Sequence, residues 1–218
     1  MDLAEATLDE IRLALAPVIA EAAAFDGWSD AAVAVAAAQT GVDPAVAAYA
    51  FSDGAMAMIA AWIETVDRAM AAALPADVLA GLPVRERIAR LVRFRLDAVR
   101  GKEESLRRAL AVMALPRNAR AALQRGWHSA DLMWRLAGDA SSDYNHYTRR
   151  AILAAIYGAT LAVTVDDESE GKADTLAFLD RRIAGVIRFE KAKARLIPSG
   201  GQQFSMARFL GRLRYPAQ

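Results

Sequence analysis

The chain has 218 residues, of which 55% are hydrophobic and none is cysteine, and its formal net charge is +1. This length is enough for a buried core without covalent staples. The lack of cysteine excludes disulfides, thiolate nucleophiles and cysteine-ligated metals, and fits a reducing cytoplasm.

The charge is unevenly distributed along the chain. Residues 13–67 contain seven acids and no Lys or Arg, whereas residues 181–218 contain nine Lys or Arg and one acid, Glu190. We therefore expect an acidic N-terminal third and a basic C-terminal end. The opening MDLAEATLDEIRLAL carries acids where a secretory signal or a transit peptide carries basic residues, so we predict no cleaved leader.

Apolar residues recur at helical spacing along almost the whole chain, and no segment alternates with period two for long. We therefore predict an all-α fold of about nine to ten helices. The first helix follows a capping box of Thr7 and Glu10. Ser29 and Asp43 are predicted N-caps of the next two helices. The remaining helices are predicted at about 53–74, 84–99, 103–115, 123–138, 143–165 and 176–187.

The run 151–165, AILAAIYGATLAVTV, is the longest uncharged stretch, and it is shorter than the roughly 20 residues that span a bilayer. We interpret it as a buried helix of a bundle. Its small residues either let helices pack closely or leave space for a ligand.

The C-terminal end divides into two parts. Residues 197–203, IPSGGQQ, have the composition of a flexible linker. Residues 204–218 form a basic amphipathic segment, which either packs on the domain or binds an anionic membrane surface. The predicted membrane-binding residues are apolar or basic: Phe204, Met206, Arg208, Phe209, Leu210, Arg212, Leu213 and Arg214.

The stretch FDGWSDAAVAVAAAQTGVDPAVAAYAF, residues 25–51, resembles the helix-turn-helix module of TetR regulators. The places of its hallmark residues are taken by Phe25, Gly27, Trp28, Gly41, Val42, Tyr49 and Phe51. DNA recognition needs side chains that reach bases and cations that bind phosphates, and both are missing. We therefore expect residues 1–75 to be a degenerate module that binds no nucleic acid.

Residues 137–150, AGDASSDYNHYTRR, together with the apolar helix that follows, resemble the Coq-nine family of ubiquinone-biosynthesis proteins. Eight residues fit the family's pattern: Ala137, Gly138, Asp139, Ser141, Asp143, Tyr147, Thr148 and Arg150. Eukaryotic members tend to carry Trp where this chain has His146. The resemblance extends from about residue 7 to residue 196.

The resemblance implies a TetR-like homodimer that makes no product of its own, and the residues themselves indicate no catalytic residue, cofactor or metal site. It implies an isoprenoid or quinone lipid in the ligand-binding domain, residues 76–196. It also implies a partner, the demethoxyubiquinone hydroxylase, and attachment through a C-terminal amphipathic helix. For a bacterial member, this places the protein in the cytoplasm, peripherally bound to the inner membrane.

The polar stretch 137–150 has three interpretations: a catalytic centre, the capped first turn of a helix, or a partner-binding surface. No activated nucleophile or metal-ligand cluster accompanies it, which disfavours catalysis. The resemblance favours the partner-binding surface. Its predicted contact residues are Asp139, Asp143, Tyr144, His146, Tyr147 and Arg150.

With the resemblance, the helix 151–165 is expected to border an apolar lipid tunnel together with three helices that contain residues 91–99, 106–113 and 127–134. The predicted lining residues are Trp134, Ala155, Tyr157, Gly158 and Ala159. The sequence thus predicts a lipid-binding accessory protein of ubiquinone biosynthesis that presents a polyprenylated intermediate to a hydroxylase. The alternative is a ligand-responsive transcriptional regulator.

Overall fold

The computed structural model describes residues 5–139 and 144–196, and the side chains of these residues except 144–145 and 187–196. Within these ranges the chain is all-α, as predicted, and contains no strand. Ten α-helices follow one another: α1 (Leu8–Asp26), α2 (Asp30–Thr40), α3 (Pro44–Ala50), α4 (Ala55–Ala73), α5 (Ala76–Leu79), α6 (Val84–Ala98), α7 (Glu103–Met113), α8 (Ala119–Leu136), α9 (Tyr144–Thr164) and α10 (Ala173–Leu196).

The contacts between residues divide the chain at Ile183, inside α10. Helices α1–α9 all belong to the first unit, which contains every site described below. The boundary between residues 1–75 and 76–196 stays a prediction. The predicted linker 197–203 and the segment 204–218 lie outside the described residues.

Backbone caps fix the starts of the first helices. Thr7 and Glu10 form the predicted capping box, in which the Glu10 carboxylate accepts the Thr7 N–H at 2.8 Å. The predicted cap at Asp43 is also confirmed, since its carboxylate accepts two backbone N–H groups of α3. Ser29 precedes α2 but does not cap it with its side chain. Its hydroxyl donates instead to the backbone oxygen of Asp26, at 2.9 Å.

Alanine lets the N-terminal helices approach closely, because it occupies little volume and loses no side-chain entropy in a helix. Trp28 and Trp62 fill the space beside them, with ring centroids 5.4 Å apart. The indole N–H of Trp28 donates to the backbone oxygen of Ser105 at 3.1 Å, which connects the N-terminal helices to α7. The fully buried alanines of α1 and α2 are Ala16, Ala20, Ala23, Ala32, Ala36 and Ala37.

A buried arginine joins α8 to α9. Arg150 is only 1% exposed, and its Nε donates to Asp131 at 2.5 Å. Its Nη1 donates to Asp139 at 3.0 Å and to the backbone oxygen of His146 at 3.1 Å. The second carboxylate oxygen of Asp139 accepts from Arg149, also at 3.0 Å. These bonds fix the start of α9 against the end of α8.

Two of the predicted partner-contact residues are therefore not on the surface where the sequence pattern placed them. Arg150 is buried, and the side chain of Asp139 is only 7% exposed. The physical reason is that two carboxylates neutralise the Arg150 guanidinium, so its charge is tolerated away from water. Both residues position the helices and do not form an exposed contact surface.

The turn between α9 and α10 is built around the buried Asp167 carboxylate. It accepts the backbone N–H groups of Ser169 and Thr175, both at 2.8 Å, and the Thr175 hydroxyl at 2.6 Å. Burial raises the pKa of Asp167, but these hydrogen bonds outweigh that effect and hold the pKa well below its ordinary value.

We expect Asp167→Asn to lower the free energy of unfolding at neutral pH by about 1 kcal/mol, because a neutral amide is a weaker acceptor than a carboxylate. A depressed folded-state pKa contributes stability above the ordinary aspartate pKa, and this contribution is lost as the pH falls toward the folded-state value. Urea unfolding between about pH 7 and pH 3 should therefore show a shallower acid decline in the variant. Asp166→Asn, at the exposed neighbouring carboxylate, is the control; equal slopes for wild type and Asp167→Asn would contradict the assignment.

Arg150→Met should destabilise the protein by about 2–3 kcal/mol, because it removes the buried cation that Asp131 and Asp139 share and leaves them only their exposed partners Arg135 and Arg149. Arg149→Met is the matched control. The Arg149 side chain is 48% exposed, so its loss should cost below about 1 kcal/mol. Chemical denaturation measures both, and similar losses for the two variants would show that the buried arginine does not hold the joint.

Candidate functional site

An apolar cavity of about 460 Å³ lies in the first unit, between α4, α6, α7, α8 and α9. The sequence predicted that α6, α7, α8 and α9 border such a space, and in the structure α4 borders it as well. That helix contributes Ile59, Trp62, Ile63 and Val66 to the wall. The size and the apolar walls are typical of a site for a hydrophobic small molecule.

Small side chains on α9 leave room in this cavity. Ala151, Ala154, Ala155 and Gly158 all line it. A Cβ atom added to Gly158 would meet nothing within 4 Å. Ala151, Ala155 and Gly158 are exposed, so the cavity is open to solvent along this part of α9. Of the residues predicted to line the tunnel, the structure brings Ala155, Tyr157 and Gly158 together at the cavity.

The two other predicted lining residues lie elsewhere. The Trp134 indole N–H donates to the backbone oxygen of Arg149 at 3.1 Å, and the Arg149 guanidinium lies 5.7 Å from its ring centroid. Trp134 thus belongs to the α8–α9 joint. Ala159 does not line the cavity.

One side of the cavity carries a buried polar network that the sequence did not predict. Arg95 and Asp67 form an ion pair and are 2% and 4% exposed. The Ser129 hydroxyl donates to the second oxygen of Asp67 at 3.0 Å, so the network joins α6, α4 and α8. Arg95 and Ser129 both line the cavity. The spacing of Arg95 could have revealed that this side chain is buried. It lies four residues from both Leu91 and Val99, on the apolar stripe of α6.

An aromatic surface lies on the outer side of α8 and α9, and we define it by Leu123, Trp127, His146 and Tyr147. The rings of Trp127 and Tyr147 stack with centroids 6.0 Å apart, and the His146 ring meets the edge of Tyr147, with centroids 5.1 Å apart. Leu123 is 75% exposed and Tyr147 is 61% exposed. Trp127 also lines the cavity, so this aromatic surface adjoins the apolar site.

The predicted contact residues therefore divide into three groups. His146 and Tyr147 belong to the aromatic surface, whereas Asp139 and Arg150 are buried in the α8–α9 joint. Asp143 lies outside the described residues, and for Tyr144 the structure describes only its place at the start of α9. The predicted membrane residues between 204 and 214 also lie outside the described residues.

The predicted helix-turn-helix consists of α2 and α3, joined at Gly41, which has a φ of +73°. The short helix α3 exposes Val46 and Tyr49. The surrounding residues 13–67 contain no Lys or Arg. The module therefore has two helices joined by a turn, without the cations that bind phosphates.

Neither a metal cluster nor a membrane span stands out in the described residues. Residues 5–139 and 144–196 contain no group of three His, Cys, Asp or Glu side chains arranged to hold a metal ion. In the same ranges no single helix has the length and hydropathy needed to cross a bilayer. Helices α3 and α4 satisfy that test only as a pair, bent by 89° at their break.

Comparison with known proteins connects this site to one family. A sequence model of the COQ9 family matches residues 119–190, which include α8, α9 and the first part of α10. The rat and human proteins named "Ubiquinone biosynthesis protein COQ9, mitochondrial" are 47% and 46% identical over 76 residues. These matches cover 35% of this chain and 24% of each relative.

A longer match is found with COQ9-A of Xenopus laevis, which is 32% identical over 168 residues. The match covers 72% of this chain and 52% of that protein. The chain thus spans between a quarter and about half of the length of these relatives. All three are named as mitochondrial ubiquinone biosynthesis proteins.

The fold is shared with a solved structure of a TetR transcriptional regulator from Nitrosomonas europaea. The two superpose with a TM-score of 0.65 at 22% sequence identity, over 82% of this chain and 99% of the regulator. At that identity the likeness concerns the fold alone. The family match, the relatives and this likeness lead to one conclusion: the chain belongs to the COQ9 family and has a TetR-like fold.

Proposed function

We propose that this protein is a lipid-binding accessory protein of ubiquinone biosynthesis. It holds a polyprenylated quinone intermediate in the cavity and presents it to a membrane-associated hydroxylase. The observation that carries the proposal is the apolar cavity of about 460 Å³, found in a member of a family whose named relatives are ubiquinone biosynthesis proteins.

The chemistry of the cavity suits a prenyl chain. Its walls are formed mainly by aliphatic and aromatic side chains, including Trp62, Leu110, Met113 and Leu161. Each buried CH₂ contributes about 0.8 kcal/mol, so one five-carbon prenyl unit contributes roughly 3–4 kcal/mol. A few such units give useful affinity without any catalytic group. The protein therefore acts in this proposal by extracting the intermediate from a bilayer.

The aromatic surface supports the second part of the proposal, which is contact with the hydroxylase that acts on demethoxyubiquinone. The exposed Tyr147 and Leu123 and the half-buried His146 are suited to a protein interface, where aromatic residues are enriched. The surface shares Trp127 with the cavity wall, so a partner bound there lies next to the ligand. We extend the proposal to a homodimer, by analogy with the TetR-like fold.

Residues 204–218 supply the proposed membrane attachment. Their three arginines contribute about 1 kcal/mol each near an anionic surface, and each buried apolar side chain adds roughly 1.5–3 kcal/mol. These contributions are enough for reversible, salt-sensitive binding and too small for permanent insertion. The protein would then bind peripherally to the membrane that holds its lipid.

Transcriptional regulation is the competing hypothesis, and the retained helix-turn-helix geometry is the observation in its favour. Its difficulty is electrostatic. Seven acids and no Lys or Arg in residues 13–67 repel the phosphate backbone, whose neutralisation supplies most of the non-specific affinity for DNA. The acidic module therefore favours the accessory role.

The first test is to extract the purified protein with organic solvent and analyse the extract by mass spectrometry. We expect isoprenoid quinone precursors enriched over bulk phospholipid. Gly158→Leu should reduce this enrichment by about tenfold or more, because its isobutyl group occupies space that the ligand needs.

Gly185→Leu is the matched control for that variant. Gly185 is also a helical glycine with nothing within 4 Å of an added Cβ, but it does not line the cavity. The control should keep the lipid. An extract that contains only bulk phospholipid, or equal loss in both variants, would contradict a quinone-binding cavity.

The attachment is tested by flotation with liposomes that contain anionic lipid. Deleting residues 204–218 should abolish flotation. Replacing Arg208, Arg212 and Arg214 with Gln should weaken binding roughly a hundredfold and remove its salt dependence, because about 1 kcal/mol is lost at each position. Flotation of the deleted protein would place the attachment elsewhere in the chain.

A further inference from the structure

The buried network of Asp67, Arg95 and Ser129 contains an unsatisfied donor. Arg95 gives one N–H of its Nη1 to Asp67, and Ser129 donates to the other carboxylate oxygen. The Nε–H of Arg95 has no acceptor among the described residues, and it is sealed from solvent. A buried donor without an acceptor costs the free energy of a lost hydrogen bond. Such groups are therefore rare in natural structures, and each one calls for an explanation.

The same guanidinium faces a ligand-sized space. Arg95 lines the apolar cavity, and its Cζ lies 4.8 Å from the ring centroid of Tyr157, another lining residue. The rest of the wall is apolar apart from Tyr157, Ser129, which already donates to Asp67, and the solvent-exposed Arg125. A ligand oxygen in this part of the cavity would lie near the cationic guanidinium of Arg95, which can act as a hydrogen-bond donor in place of water.

We propose that Arg95 recognises the head of the bound molecule, and that it selects a neutral acceptor oxygen, such as a ring carbonyl, ether or hydroxyl, over an anionic head. This inference rests on the proposed function, since it assigns the head-group preference of that same cavity. A small rotation of the guanidinium over the Tyr157 ring presents an N–H to the ligand.

The charge of the buried pair determines whether the cavity favours a neutral or an anionic head group. Asp67 already neutralises Arg95, so the buried pair carries no net charge. Once the guanidinium turns toward the cavity, a neutral ligand oxygen supplies the missing acceptor and leaves that balance intact. A phosphate beside Arg95 would instead add an anion that no buried cation compensates, since Arg125 is exposed to solvent, and the desolvation cost there is large. The cavity therefore favours a lipid with an uncharged oxygen-bearing head.

The test uses three ligands with one prenyl chain and different heads: farnesene, farnesyl methyl ether and farnesyl phosphate. Trp62 and Trp127 line the cavity, so quenching of tryptophan fluorescence reports binding in the intact protein. We expect the ether to bind about tenfold more tightly than farnesene, as a hydrogen bond to a charged donor predicts. Farnesyl phosphate should bind no more tightly than the ether.

A variant removes the network while keeping the cavity apolar: Asp67→Leu combined with Arg95→Met and Ser129→Ala. Replacing all partners together avoids an unpaired buried charge, which is close to neutral for stability. In this variant the ether should bind no more tightly than farnesene does to the same variant, so the preference for the ether should disappear. Tyr157→Phe, which keeps the ring under the guanidinium, should retain the preference.

The outcomes separate the two proposals. If farnesene itself does not bind to the wild type, the proposed cavity function fails and this inference fails with it. If farnesene binds but the ether gains nothing, or if the phosphate binds most tightly, only the role of Arg95 fails. The three wild-type affinities are enough to distinguish these outcomes, even where the triple variant does not fold.

Discussion

A cavity lies between α4, α6, α7, α8 and α9. Where these helices border the cavity, they lack the side-chain contacts that a filled core provides. Polar connections compensate at two places. The ion pair of Asp67 and Arg95, together with the Ser129 hydroxyl, joins α4, α6 and α8 beside the cavity. Arg150, in the first part of α9, joins that helix to Asp131 of α8. Directional bonds between helices can hold them apart at fixed distances, which apolar packing alone does not do. Two buried arginines thus connect helices that border the apolar site.

The features that depend on neighbouring residues could be predicted from the sequence. The capping box at Thr7, the cap at Asp43 and the all-α fold follow from neighbouring residues and helical spacing. It also predicted small residues of α9 that the structure places at the cavity, Ala155 and Gly158. It misplaced Arg150 and overlooked Arg95, because arginine is expected on the surface unless a distant carboxylate is known to meet it. Asp67 lies 28 residues from Arg95, and no periodicity reveals that pairing.

The N-terminal module has a structural role in the first unit. Helices α2 and α3 form a helix-turn-helix, and their alanine-rich packing against α1 belongs to the core of that unit. Nothing in that role requires surface cations. Acidic residues there carry little cost for stability, and the module supports the rest of the bundle through Trp28.

Trp127 belongs both to the cavity wall and to the aromatic surface. A substitution at this position therefore alters the volume of the cavity and the shape of the aromatic surface at the same time. The two properties are not free to drift separately during evolution. A lineage that changes the cavity through Trp127 must also readjust the surface around Tyr147. Changes at Gly158 or Ala155, which line the cavity and do not belong to that surface, alter the cavity volume independently.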